Sequence, residues 1–138
     1  MELYIAETVE NIVELYSIKD DPVQEVIGCE CGEWIQWLVE QRKLKNDRIV
    51  TFIAKDENSI CGYIVICDEI LPPISNVIFI LYAYSNINFV ENKELFGEIK
   101  DWAKEKGATT LMAITKTPEL LKRYGFIEDE NVQMMMRL

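Results

Sequence analysis

The chain has 138 residues, 49% hydrophobic and 28% charged, with a formal net charge of −10 at pH 7. This composition is typical of a folded globule and argues against a disordered chain. The excess of carboxylates argues against nucleic acid and anionic membranes as partners, because both require clustered lysine and arginine. No apolar run reaches ~20 residues and no segment resembles a signal peptide. We therefore expect one domain, residues 1–138, in the cytoplasm or in a complex assembled inside the cell.

The first third of the sequence predicts a strand and two helices. Alternation over residues 3–6 predicts an edge strand, and Thr8 is the predicted N-cap of the first helix. The second helix is predicted over residues 33–43. Residues at helical spacing that we expect on the apolar faces of these helices are Val9, Ile12, Val13 and Tyr16 in the first, and Trp34, Trp37, Leu38 and Gln41 in the second.

A hairpin and a third strand follow. Strands are predicted over residues 49–55 and 60–66, because the polar turn between them is typical of a hairpin, and then over residues 77–84. A long helix is predicted from about Val90 to Lys106, with Leu95, Phe96, Ile99, Trp102 and Ala103 on one stripe. The remaining predicted elements are a strand over 109–114, a short helix from Thr117 to Gly125, and a half-buried last strand over 132–138.

The stretch from Asn76 to Phe126 resembles a known family. Its order of strand, helix, strand and short helix is accompanied by KEKGA at residues 104–108 and YGF at residues 124–126. This combination resembles the acetyl-CoA-dependent N-acetyltransferase superfamily, GNAT, and the predicted order βααβββαβαβ matches that family along nearly the whole chain. The resemblance implies an α+β fold with a mixed, mostly antiparallel central sheet flanked by helices. An unrelated α+β sandwich is the alternative.

The resemblance also implies a cofactor loop between the third central strand and the long helix. In the family this turn reads Arg/Gln-x-x-Gly-x-Gly/Ala, and its glycines let backbone N–H groups close on the pyrophosphate. Here residues 87–92 read INFVEN, with no glycine, no basic residue and one carboxylate. Asn88 and Asn92 tolerate left-handed backbone and could form a weak anion nest. The family further implies that the backbone of Tyr82, Ala83 and Tyr84 pairs with the pantetheine arm, so these five residues are the candidate cofactor contacts.

The catalytic positions implied by the family carry unsuitable side chains. The acid is often a tyrosine four residues before the glycine of Gly-Phe, where this chain has Leu121, and the partner asparagine position holds Ile114. Tyr124 is a weak candidate acid whose alternative role is packing. Glu69, beside Asp68 at the end of a predicted strand, is a weak candidate base. The chain has no histidine, which excludes Ser-His-Asp and Cys-His catalysis.

Four cysteines do not predict a metal site. Cys29 and Cys31 form a Cys-x-Cys pair, whereas Cys61 and Cys67 lie ~20 Å apart along one predicted strand. That separation excludes one four-thiolate zinc site. Free thiols in a reducing compartment are the favoured interpretation.

Three hypotheses follow from the sequence. The first is a GNAT-fold domain that has lost acetyl-CoA chemistry, binds no cofactor and acts as a protein-binding or structural module, within a larger and perhaps viral assembly with an unidentified protein partner. The second is an active acetyl-CoA-dependent N-acyltransferase with a non-standard pyrophosphate loop. The third is a small metal or redox protein that uses Cys29 and Cys31.

Overall fold

The computed structural model describes residues 1–18, 33–69, 77–113, 118–128, 134 and 136–137. Within these ranges the predicted elements appear in the predicted order, from the first strand to the last helix. The strands are β1 (Glu2–Ile5), β2 (Ile49–Asp56), β3 (Ser59–Glu69), β4 (Val77–Ser85) and β5 (Thr110–Ala113). The helices are α1 (Val9–Val13), which continues as a 3-10 helix (Glu14–Ser17), α2 (Glu33–Lys43), α3 (Phe89–Glu105) and α4 (Pro118–Lys122).

The five strands form one sheet in the order β1-β2-β3-β4-β5. Neighbouring strands are antiparallel except β4 and β5, which are parallel. The parallel pair arises because α3 connects these two strands, and a crossover helix returns the chain in the same direction. The predicted mixed, mostly antiparallel α+β sheet is confirmed.

Helices cover both faces of the sheet, so the core has two layers. One cluster lies between the sheet and the pair α1 and α2, and a second lies between the sheet and α3. The buried members of the first are Ala6, Ile12, Leu15, Trp34, Ile35, Leu38, Ile53, Tyr63 and Val65. Those of the second are Phe52, Ile64, Ile66, Ile78, Ile99 and Ala103. The period-2 alternation of β2 and β3 supplies both clusters from the same strands.

The predicted N-cap of α1 is confirmed. The Thr8 hydroxyl accepts the Asn11 N–H at 3.2 Å, and the Asn11 side chain accepts the Thr8 N–H at 3.3 Å, which makes a reciprocal capping box. The predicted apolar face, in contrast, was partly wrong, because Val13 and Tyr16 are exposed and Leu15 is buried. The helix tightens to 3-10 geometry at Glu14, and three residues per turn rotate the following side chains out of the α-helical phase.

Two further expectations are corrected. In α2, Trp34 and Leu38 are buried as predicted, but Trp37 is 37% exposed and Ile35 is buried in its place. At the C-terminus, residues 134, 136 and 137 are not in a strand and Met134 and Met136 are exposed. Alternating sequence does not make a strand unless a neighbouring strand supplies the ladder of hydrogen bonds. The other residues of that predicted strand, and Thr117, lie outside the described residues.

Gly62 allows close approach of β3 and β4, so we expect Gly62→Ala to be destabilising. A Cβ at Gly62 would lie 2.9 Å from the carbonyl oxygen of Tyr84, and backbone must move to make room for it. Overpacking of this kind should lower the free energy of unfolding by about 1–3 kcal/mol, measured by urea denaturation. The control is Gly97→Ala in α3, where nothing lies within 4 Å, and it should stabilise by about 0.5–1 kcal/mol. Equal effects of the two substitutions would contradict the close approach.

Candidate functional site

A β-bulge in β4 shapes the centre of the sheet. Val65 of β3 is opposite Tyr82, and the next residue, Ile66, is opposite Ile80, so Leu81 is one extra residue on β4. The extra residue resets the alternation of the strand. Tyr82 and Tyr84 therefore pack with the cluster under α1 and α2, while Ala83 faces the α3 side.

The edge of β4 away from β3 is paired along only half of the strand. Residues 77–80 of β4 pair with residues 110–113 of β5, and within the described chain that ladder ends at Ile80. The Asn86 N–H donates to the Cys61 carbonyl at 2.9 Å. Because strand amides alternate between the two edges, the N–H groups of Ala83 and Ser85 face the edge beyond the ladder. We call this edge, residues 81–85, the β4 slot.

Ala83 shows that the slot is open on the α3 side. It is exposed, although Ile78 lies buried under α3 on the same face of β4. The slot thus combines an extended backbone with main-chain polar groups and a small side chain. Such an edge can add an extended, amide-containing ligand by main-chain hydrogen bonds.

The N-terminus of α3 adjoins the slot and is capped by its own side chain. Asn88 is the N-cap, and its side-chain oxygen accepts the Glu91 N–H at 2.9 Å. This is the ordinary role of asparagine before a helix, and it satisfies one of the donors that a helix N-terminus otherwise presents. The weak anion nest predicted for the turn with Asn88 and Asn92 stays a prediction, and the structure shows the Asn88 side chain as the N-cap of α3.

Asn92 closes the same turn from within the helix. Its side-chain nitrogen donates to the Ile87 carbonyl at 3.2 Å, and its side-chain oxygen accepts the Ser85 hydroxyl at 2.7 Å. The Ser85 oxygen in turn accepts the Ile87 N–H at 3.2 Å. The end of β4 and the start of α3 are therefore joined by side chains of the turn itself, which the sequence reasoning did not foresee.

Three comparisons place this geometry among known structures. A probable acetyltransferase matches with a TM-score of 0.77 and 17% identity, covering 100% of this chain and 98% of that chain. The aminoglycoside N-acetyltransferase AAC(6')-Iy, in complex with a bisubstrate analogue, matches with a TM-score of 0.74 and 14% identity over 100% and 99% of the two chains. A predicted acetyltransferase from Clostridium acetobutylicum, solved with acetyl-CoA, matches with a TM-score of 0.74 and 19% identity, covering 98% of this chain and 95% of that chain.

The chain has the GNAT fold. Each of these structures matches nearly end to end, which confirms the architecture expected from the resemblance. No family model and no curated protein sequence matches the chain. The sequence has therefore diverged from these structures much further than the fold has, and the residues of the site decide the function.

Tyr124 lies among aromatic rings on the GNAT core. Its ring centroid is 5.3 Å from Phe89 and 5.9 Å from Phe96, and Phe96 is 5.6 Å from Phe126. These distances are typical of tilted aromatic packing. The cluster holds the segment after α4 against the first two turns of α3, so the packing role accounts for Tyr124. Leu121, at the position where many GNAT enzymes carry an acid, is half-buried and has no proton to donate.

Glu69 is not brought to the slot by the sheet. It is the last residue of β3 and is opposite Val77, at the start of β4. Six residues separate Val77 from Ala83, or ~20 Å along an extended strand. The structure thus brings Tyr82, Ala83, Tyr84, Asn88 and Asn92 together at one end of β4 and leaves Glu69 at the other.

An aromatic wall, which the sequence reasoning missed, lines the other face of the slot strand. The Trp34 ring stacks on Tyr63 at 5.1 Å and contacts Tyr82 at 5.7 Å, and Tyr84 lies 5.9 Å from Tyr63. The Trp34 indole nitrogen is buried and has no hydrogen-bond partner among the described residues. The spacing of Tyr63, Tyr82 and Tyr84 could not reveal the wall, because the bulge decides which face the last two occupy.

The cysteines and other potential metal ligands form no site in the described parts of the chain. Among the described residues, no three His, Cys, Asp or Glu side chains lie together in a way that could hold a metal ion, and Cys29, Cys31 and Ile114 lie outside those residues. Cys61 donates to the Ala54 carbonyl at 3.4 Å, and burial raises the pKa of its thiol, which favours an inert structural thiol. In the described parts of the chain, no helix is long and apolar enough to cross a membrane.

Proposed function

We propose that this GNAT-fold domain is an N-acyltransferase that takes the acyl group of a pantetheine thioester, such as acetyl-CoA, along the β4 slot and transfers it to an amine. The observation that carries the proposal is the Leu81 bulge together with the edge at Ala83 and Ser85, which lies beyond the described β4–β5 ladder. This arrangement supports the second hypothesis drawn from the sequence. Loss of cofactor binding stays a prediction.

The slot fits the amide-rich arm of such a donor. When bound, the thioester supplies an activated acyl carbon that an amine can attack. The N–H groups of Ala83 and Ser85 face the slot and are fixed by the β3–β4 ladder, so they can pair with an extended ligand or with a developing oxyanion without rearrangement. The exposed Ala83 side chain leaves the approach open.

The missing acid limits the rate rather than forbidding the reaction. An amine in its neutral form attacks the acyl carbon, the C–S bond breaks, and the amine proton passes to solvent. The leaving thiol has a pKa of about 8.5 in water, so it departs as a thiolate without a proton from the protein. Leu121 and the absence of histidine therefore predict slow turnover that rises with pH as more of the amine is neutral.

The acceptor is expected to be cationic at neutral pH before it loses its proton. A net charge of −10 attracts amines over a distance, and the two half-buried rings of the wall, Tyr82 and Tyr84, can offer a face to a bound cation. Tyr82 and Tyr84 are half-buried members of that wall and lie on the slot strand itself. They are the side chains of the wall that an acceptor beside the slot would meet first.

A second candidate function is a non-catalytic binding module. It is favoured by the side-chain cap on α3 and by leucine at the acid position. A domain that kept the fold only as a scaffold would tolerate both. This candidate requires that no acyl donor binds in the slot.

The test fills the slot without disturbing the core. Thiol release from acetyl-CoA with a panel of primary amines should be detectable for the native chain and should fall at least tenfold in Ala83→Phe, because the phenyl ring occupies the open side of residues 81–85. Thr110→Phe, also exposed but opposite Val77 at the other end of β4, is the matched control and should retain activity. Melting temperatures check that both variants fold. No release by the native chain with any donor or amine would leave the binding module as the function.

A further inference from the structure

We propose that this chain recognises its acyl donor through the pantetheine arm alone, with the α3 N-terminus closed to the donor's diphosphate. The inference rests on the proposed function and specifies the chemical class of the donor. That class is any pantetheine thioester, and it has two sources: coenzyme A and the phosphopantetheine arm of a carrier protein.

The N-terminus of α3 has few free hydrogen-bond donors. A helix N-terminus that cradles a phosphate must offer several free backbone N–H groups. Here the Asn88 side chain takes the N–H of Glu91, and the Ser85 oxygen takes that of Ile87. In the described chain, this leaves the N–H groups of Phe89 and Val90 as the unpaired amides of the first turn.

Large side chains also restrict the space around those two amides. Each belongs to a residue with a large side chain, where close approach of a phosphate favours glycine. The Phe89 ring is held by its contact with Tyr124, 5.3 Å between ring centroids, so it does not swing freely away from the turn. Moving it would cost the aromatic packing between α3 and the segment after α4.

The charge around the first turns of α3 is negative. Glu91 places a carboxylate in the first turn, and Glu94 and Glu98 continue along α3, forming one side of an acidic groove of about 500 Å³. Lys93 is the single cation of residues 85–98. A diphosphate would meet net negative charge at the position where a cradle needs positive potential.

The side chains at the N-terminus of α3 leave the β4 slot unchanged. Its hydrogen-bonding groups are main-chain groups of β4, and its register is fixed by β3 and the Leu81 bulge. The structure therefore keeps the part of a donor site that reads an extended amide chain and closes the part that reads a phosphate. Recognition is shifted from charge to backbone pairing.

The experiment compares four probes on the full chain by calorimetry: acetyl-CoA, acetyl-pantetheine, adenosine 5'-diphosphate and an acetylated carrier protein. We expect acetyl-CoA and acetyl-pantetheine to bind within threefold of each other, and the nucleotide to show no heat at millimolar concentration. Acetyl-CoA affinity should change less than twofold between 50 and 500 mM salt, since no phosphate contact is made. Tighter binding of the carrier protein than of acetyl-pantetheine would identify the carrier as the source, and equal or weaker binding would identify coenzyme A.

Two results overturn the inference while leaving the proposed function intact: tenfold tighter binding of acetyl-CoA than of acetyl-pantetheine, or competition by the nucleotide. Absence of binding by every thioester overturns both proposals.

A gain-of-function variant provides a second measurement. Asn88→Gly combined with Glu91→Gln removes the side-chain cap and the carboxylate, and it should tighten acetyl-CoA at least fivefold without changing acetyl-pantetheine. Glu105→Gln, exposed at the opposite end of α3, is the matched control for charge and should change neither affinity.

Discussion

Replacing Trp34 with alanine is expected to lower the free energy of unfolding by about 3–5 kcal/mol, the cost of removing a large aromatic side chain from a packed core. Trp34 is 3% exposed at the start of α2 and stacks on Tyr63, with Tyr82 against its other side. Its loss would leave a cavity between α2 and the two central strands. Urea denaturation followed by far-ultraviolet circular dichroism measures the change.

Two controls separate the parts of this effect. Trp37→Ala removes the same residue type from the same helix, but Trp37 is 37% exposed, so the expected loss is below about 1 kcal/mol. Trp34→Phe keeps a ring on Tyr63 and removes the buried indole N–H that lacks a partner, so relief of about 1–3 kcal/mol of desolvation offsets part of the lost volume. Similar losses for the two alanine variants would contradict the placement of α2.

Deletion of Leu81 is expected to remove the bulge and to lower the free energy of unfolding by about 1–3 kcal/mol. Ile80 is opposite Ile66 and Tyr82 is opposite Val65, so without Leu81 these two residues become consecutive and alternate between the faces as in a regular strand. Tyr82 and Tyr84 therefore stay with the cluster under α1 and α2, and the cost comes from losing the bend and extra twist that the bulge gives β4. Thermal denaturation and the tryptophan near-ultraviolet signal report the outcome.

The matched control keeps the bulge and removes only the side chain. Leu81→Ala leaves the backbone count unchanged, and Leu81 is exposed, so its stability should stay within about 1 kcal/mol of the native value. A deletion variant as stable as Leu81→Ala would show that the bend at the bulge contributes nothing to the stability of the sheet. Thiol release by the two variants then reports on the slot as well as on the fold.

Most of the architecture could be predicted because it follows from periodicity. The apolar stripe of α3 and the alternation of β2 and β3 are repeated often enough to define the elements and the faces they bury. The errors occur where geometry changes locally: the 3-10 turn after α1 buries Leu15 and exposes Tyr16, and no glycine or proline near Leu81 indicates the bulge in the sequence.

The candidate site was predictable in its backbone and not in its side chains. The family resemblance implied that the backbone of residues 82–84 pairs with the pantetheine arm, and within the described chain the β4–β5 ladder ends at Ile80, before those residues. Asn88 had a second interpretation, since asparagine three residues before Glu91 is also a capping signal. The distance from Glu69 to the slot depends on the β3–β4 register, which composition and spacing do not determine.

The side-chain cap on α3 has a consequence for how this domain can evolve. When a ligand completes a helix N-terminus, the folded state gains stability from occupancy, and changes that weaken binding also weaken the protein. Here Asn88, Asn92 and Ser85 complete the turn from within the chain. Selection on ligand binding at this turn and selection on the folded state can thus act on different residues, so a substitution that changes what binds here need not weaken the fold.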